Sequence, residues 1–136
     1  MNFWLLKSEP DVYSIDDLKR DRKTTWNGVR NFQARNVLKS CKKEDLVLIY
    51  HSNIGKAVVG IGKIAKEAYP EPDEQRPGDW VQVDVGFVSK FDIPVTLETI
   101  KKTPALKEIL LLKQSRLSCM PISEKEFNTI LKIGSP

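Results

Sequence analysis

Phe3-Trp4-Leu5-Leu6 is a continuous apolar run of strand length, and it breaks at Lys7-Ser8-Glu9-Pro10, where proline removes an amide donor. Ser14-Ile15-Asp16-Asp17 sets a serine cap three residues ahead of an acid, so the pattern predicts a short helix followed by a charged connector, Lys19 to Lys23. Thr24 to Arg30 shows neither helical nor strand periodicity, and its Asn27-Gly28 step reads as a turn. From Asn31, a capping residue, Ala34, Val37 and Leu38 recur at helical spacing as far as about Lys39.

Leu46 to Tyr50 is a second apolar strand. Ser52 to Gly55 supplies a turn, and Ala57 to about Ala65 returns as the other arm of a hairpin. Gly60 and Gly62 within that arm mark a bend or a close approach, of the kind that closing a barrel requires. Tyr69 to Asp79 reads as loop. Val81, Val83, Val85 and Phe87 then alternate with Gln82, Asp84 and Gly86, a strand with one buried face, which Pro94 is expected to end. Thr96 caps a short helix, Leu117 to Ile122 reads as a last strand, and Ser123-x-x-Glu126 opens a final helix through a capping box. About five strands with hairpins and interspersed short helices specify an α+β fold, a curved sheet or partial barrel with helices packed around it.

Length and composition narrow this further. The 136 residues suit one domain spanning 1–136, and 40% hydrophobic against 29% charged residues is an ordinary globular balance. Two distant cysteines, Cys41 and Cys119, and one histidine, His51, fall short of a zinc ligand set, so no metal or cofactor is expected. The apolar start is too short for a signal peptide, and no run reaches the roughly 20 apolar residues that span a bilayer. The expected location is cytoplasmic, or nuclear in a eukaryotic source. The net charge of +4 is uneven: residues 1–43 carry ten Lys and Arg against five Asp and Glu. That excess permits a patch for phosphates, although a solvated face is the more ordinary explanation of such a charge.

No GxSxG, GxxxxGK[ST] or HExxH motif occurs. Polar residues cluster instead where strands end: Lys7-Ser8-Glu9, Tyr50-His51-Ser52 and Ser115-Arg116-Leu117-Ser118. Between the first two lies Trp26-x-Gly28-Val29-Arg30-Asn31. Trp26 offers a face on which a base stacks, or plugs the core. Arg30 and Arg116 offer forked donors for phosphate or carboxylate. Glu9 and His51 are candidate acid–base groups, or a surface carboxylate and a side chain bonded to a loop.

Taken in order, Trp4-Leu5-Leu6-Lys7-Ser8-Glu9-Pro10, Trp26-Asn27-Gly28-Val29-Arg30-Asn31-Phe32-Gln33-Ala34-Arg35-Asn36, Tyr50-His51-Ser52, Glu67-Ala68-Tyr69-Pro70 and Arg116-Leu117-Ser118 resemble the EVE domain family over essentially the whole chain. The resemblance implies a PUA-like mixed β-barrel related to YTH domains. It also implies a non-catalytic module that captures a modified base, such as a methylated one, of DNA or RNA in an aromatic-lined pocket. Carried over motif by motif, the binding residues are Lys7, Ser8, Trp26, Gly28, Val29, Arg30, Asn31, Tyr50, His51, Ser52, Arg116, Leu117 and Ser118. The Pro70–Trp80 connection is shorter than in many members, and Cys119 replaces an aliphatic residue. The rival readings are a small PUA-like hydrolase using Glu9 or His51, and a protein-interaction module with a vestigial pocket.

Overall fold

The two strongest apolar runs lie side by side at the centre of the protein, described here by a computed structural model of residues Met1–Pro136. Strand β1 (Phe3–Ser8) pairs in parallel with β3 (Leu46–His51), and the register sets Lys7 beside Tyr50 and Ser8 beside His51. A parallel pair needs a long crossover. Helix α1 (Ile15–Asp21), strand β2 (Lys23–Trp26) and helix α2 (Phe32–Ser40) supply it. Strands β4 (Ala57–Pro70) and β5 (Val81–Thr96) continue the sheet by antiparallel pairing, β2 adds to the outer edge of β5, and β6 (Cys119–Ile122) pairs with β1. The order is β2-β5-β4-β3-β1-β6. The short helices α3 (Leu97–Lys102) and α4 (Leu110–Lys113), with the longer α5 (Glu124–Gly134), complete the α+β architecture.

The caps fall where local sequence puts them. Ser14 with Asp17 and Ser123 with Glu126 close both halves of a capping box, and Asn31 and Thr96 accept from Ala34 N and Thr99 N. Each such cap contributes about 0.5–2 kcal/mol. Leu5, Leu6, Leu48, Ile49 and Ile64 fill the centre of the core, with Leu18, Leu38, Ile100 and Ile130 packing onto it from the helices. Gly60 is where β4 meets its neighbours most closely: a Cβ there would stand 2.6 Å from Ser89 O and 2.7 Å from Ile15 Cδ1.

Four expectations change. There are six strands, and the sheet has two free edges, β2 and β6, so the barrel is only approximate. The extra strand is β2, drawn from residues read as connector and irregular segment; with Trp26 alone buried in its four residues, it lacks a periodic signal and exists because β5 offers it an edge. Lys19 to Asp21 belong to α1, and β4 runs on through Tyr69 and Pro70. Pro94 does not end β5. Phe91–Pro94 lie opposite Val59, where the β4–β5 register shifts, so the missing N–H costs no ladder bond.

Candidate functional site

A cleft of about 600 Å³ opens where β1 ends near the outer strand β2. Its walls are Lys7, Ser8 and Glu9, then Val12 and Tyr13 from the turn that follows, and Thr24 to Gly28. Three of the polar side chains are held in place by the protein. Ser8 Oγ donates to Tyr13 O at 2.6 Å, and Ser8 O accepts from Ser52 N at 2.9 Å, which fixes the turn onto the end of β3. Tyr13 Oη donates to Asp21 Oδ2 at 2.8 Å, and Thr25 Oγ1 donates to Asp84 Oδ1 at 3.0 Å.

Lys7 differs from these. Its Nζ donates to Ser115 O at 2.7 Å and stands 5.8 Å from the Tyr50 ring centroid, with no carboxylate partner. Burial pulls its pKa below the ordinary lysine value, because the charged form loses hydration there. Ser115 belongs to a second hollow of about 320 Å³, lined by Asn31, Gln33, Gln114, Ser115, Arg116 and Leu117. The Lys7–Ser115 bond therefore joins the two concavities. Arg116 is exposed and forms no ion pair.

Trp26 is 9% exposed, belongs to the core cluster and also lines the cleft. Trp4 and Trp80 both spend their indole N–H inside the protein, on Asp45 Oδ2 and on Arg76 O. Trp26 makes no such bond, and neither an aromatic ring nor a cation covers it.

Arg30 is engaged very differently from a free phosphate ligand. Its Nη2 donates to Glu71 Oε2 at 2.9 Å and its Nε to Asp73 Oδ2 at 2.9 Å, with the side chains of all three mostly shielded from solvent. Its charge is met within the protein. The carboxylates respond accordingly. Burial raises the Glu71 pKa, but the Arg30 guanidinium and the Gly28 N–H outweigh it, so Glu71 lies below its ordinary value; hydrogen bonding from Arg30 lowers Asp73. The guanidinium also lies 5.3 Å from the Trp80 ring centroid, and Phe32 stacks on Trp80 at 5.1 Å and 14°. Arg35 covers the Phe32 ring at 5.0 Å.

Of the residues expected from sequence, Lys7, Ser8, Trp26 and Gly28 wall the cleft, while Asn31, Arg116 and Leu117 wall the second hollow. Val29 and Tyr50 are buried beneath them, and Ser52 and Ser118 use backbone groups to brace β1. His51 stands off both walls. Its Nε2 accepts from Ile15 N at 3.0 Å, and burial lowers its pKa, which keeps it neutral and able to accept. Glu9 does reach the cleft.

Sequence reasoning missed Val12, Tyr13, Thr24 and Thr25 on the wall, and Glu71, Asp73 and Trp80 behind it. The Pro70–Trp80 connection, noted only as short, supplies the partners of Arg30. The one local signal was an arginine in an aromatic-flanked segment, which needs an acid from somewhere; nothing in sequence pairs positions 41 and 43 apart.

Compared with known proteins, a family model described as the EVE domain matches residues 2–133. Thymocyte nuclear protein 1 of Mus musculus is 36% identical over 165 aligned positions, covering 97% of this chain and 73% of that protein. Among solved structures, a protein from Leishmania major superposes with a TM-score of 0.92 at 35% identity, covering 98% of this chain and 94% of the other. The human THYN1 protein, solved in complex with 5-methylcytosine-containing DNA, superposes with a TM-score of 0.89 at 33% identity, covering 100% and 99%.

Proposed function

The chain belongs to the EVE domain family, and from that membership we propose that it binds nucleic acid carrying a modified base and holds that base in the cleft beside Trp26. The observation that carries the reading is that Trp26, with no ring, cation or acceptor engaging its indole, lines a 600 Å³ cleft together with the held groups Ser8, Tyr13 and Thr25. The volume falls in the roughly 300–1,000 Å³ range of small-ligand sites. The solved complex of the human relative with 5-methylcytosine-containing DNA makes DNA the first target to test.

Extruding a base costs a few kcal/mol, and stacking on an aromatic side chain returns about 1–3 kcal/mol. Hydrogen bonds at the base edge and contacts to phosphate supply the rest. Lys7 and Arg116, cations without carboxylate partners at the two hollows, take the phosphates and carry no base information. A methyl group on the base finds apolar contact with Trp26 and with Val12, which is 73% exposed at the rim. One such group discriminates by about 10–200-fold, so preference is modest.

The site binds without catalysis, and residues 1–136 act as one domain. His51 is already occupied by Ile15 N away from the wall, which favours binding over hydrolysis through that residue. The test is titration of paired oligonucleotides, DNA and RNA, single- and double-stranded, that differ by one 5-methylcytosine. Tighter binding of the modified member is expected; equal affinity across every pair would refute base capture.

A further inference from the structure

We propose that Glu71 is a positioning residue for the base-holding wall: its one carboxylate ties Gly28 and Arg30 to the β4–β5 connection and so sets where Trp26 stands. The inference rests on the reading of the cleft as the base site. Gly28 has φ +79°, and a Cβ there would meet nothing within 4 Å, so the glycine serves backbone conformation rather than close packing. The peptide between Trp26, the last residue of β2, and Asn31, the cap of α2, is held to the rest of the molecule from the side. Gly28 N donates to both oxygens of Glu71, at 3.0 and 3.3 Å, while Arg30 donates to the same two oxygens at 3.3 and 2.9 Å.

Glu71 is itself anchored, because its N–H donates to Trp80 O at 2.9 Å across the base of the connection. Asp73 accepts from Arg30 Nε and is braced by Gln75 N and Arg76 N at 3.1 and 3.0 Å. The wall therefore hangs from charge-assisted hydrogen bonds that converge on one side chain. Two carboxylates around one guanidinium also leave this corner without surplus positive charge. A phosphate would have to displace both, so Arg30 and Glu71 act on base preference and leave phosphate attraction alone.

The experiment combines two readouts on Glu71→Ala and Glu71→Gln in the intact chain. Amide exchange by NMR should show Gly28 N–H exchanging about tenfold faster or more in Glu71→Ala, the loss of one charge-assisted bond, with Leu48 N–H unchanged. Glu71→Gln, which keeps an oxygen for Gly28, should have a smaller effect. Asp73→Asn should leave Gly28 protected. On cytosine and 5-methylcytosine oligonucleotides over a range of salt, Glu71→Ala should lower the preference about tenfold, while the loss of one negative charge neither weakens the unmodified strand nor makes the salt slope shallower. Unchanged Gly28 exchange overturns the proposal, as does an equal loss on both strands with a shallower salt slope. A wild type without preference sinks the base-capture reading itself, a failure told apart because it precedes any substitution.

Discussion

Trp26 and Trp80 are both nearly buried, at 9% and 5% exposure, yet the protein treats them in opposite ways. Around Trp80 the protein engages the ring and the N–H: Phe32 stacks on it, Arg30 lies over it, and its N–H donates to Arg76 O, although the residue also lines a hollow of about 260 Å³ in the β4–β5 connection. Trp26 has core on one side and a cleft on the other, with no ring, cation or acceptor engaged. Burial alone does not distinguish the two; what engages the rest of each ring does. The two regions are connected, since Glu71 holds Gly28 beside the first and Arg30 beside the second.

The largest expected effect tests the fully partnered indole. Trp80→Ala should cost about 3–5 kcal/mol of stability, the usual loss for a packed tryptophan, read from the urea midpoint. Trp26→Ala should cost less, because no stacked ring, overlying cation or indole hydrogen bond is lost with it; equal losses would erase the distinction. Next, Trp26→Ala should remove about 1–3 kcal/mol of binding to the modified strand while sparing the unmodified one, measured by fluorescence anisotropy at fixed salt. A loss shared equally by both strands would make Trp26 a general contact.

Smaller effects sharpen the electrostatic side. Lys7→Gln and Arg116→Gln should each reduce the steepness of log affinity against log salt by about 0.7–0.9, alike for modified and unmodified strands. Arg30→Gln should leave that slope where it was. The least effect is expected from pH. Glu71 and Asp73 have folded pKa values below their ordinary 4.5 and 3.8, so their contribution is complete above about pH 4.5 and is lost as pH falls through the lowered values. The stability gap between wild type and Glu71→Gln should be constant from pH 8 to 5 and narrow in more acid solution. A constant gap down to pH 2 would show that Glu71 carries no charge-dependent stability.

Features settled within a few residues were legible along the chain. The apolar runs of β1 and β3 bury because they have no polar face, and Ser14, Asn31, Thr96 and Ser123 cap helices because their oxygens reach amides three residues away. The motif resemblance added the fold type, and four of the thirteen binding residues it implied, Lys7, Ser8, Trp26 and Gly28, line the cleft. Tertiary structure alone decided that four residues ending in Trp26 become a strand, because only β5 gives them an edge to pair with. It alone let β5 pass Pro94, where a register shift removes the demand for an N–H. It alone turned Arg30 from a candidate phosphate ligand into the centre of a clamp, by bringing acids 41 and 43 positions away within 3 Å. Propensity and capping act along the chain and can be read from it, whereas pairing of charges and opening of a cleft depend on which distant segments meet.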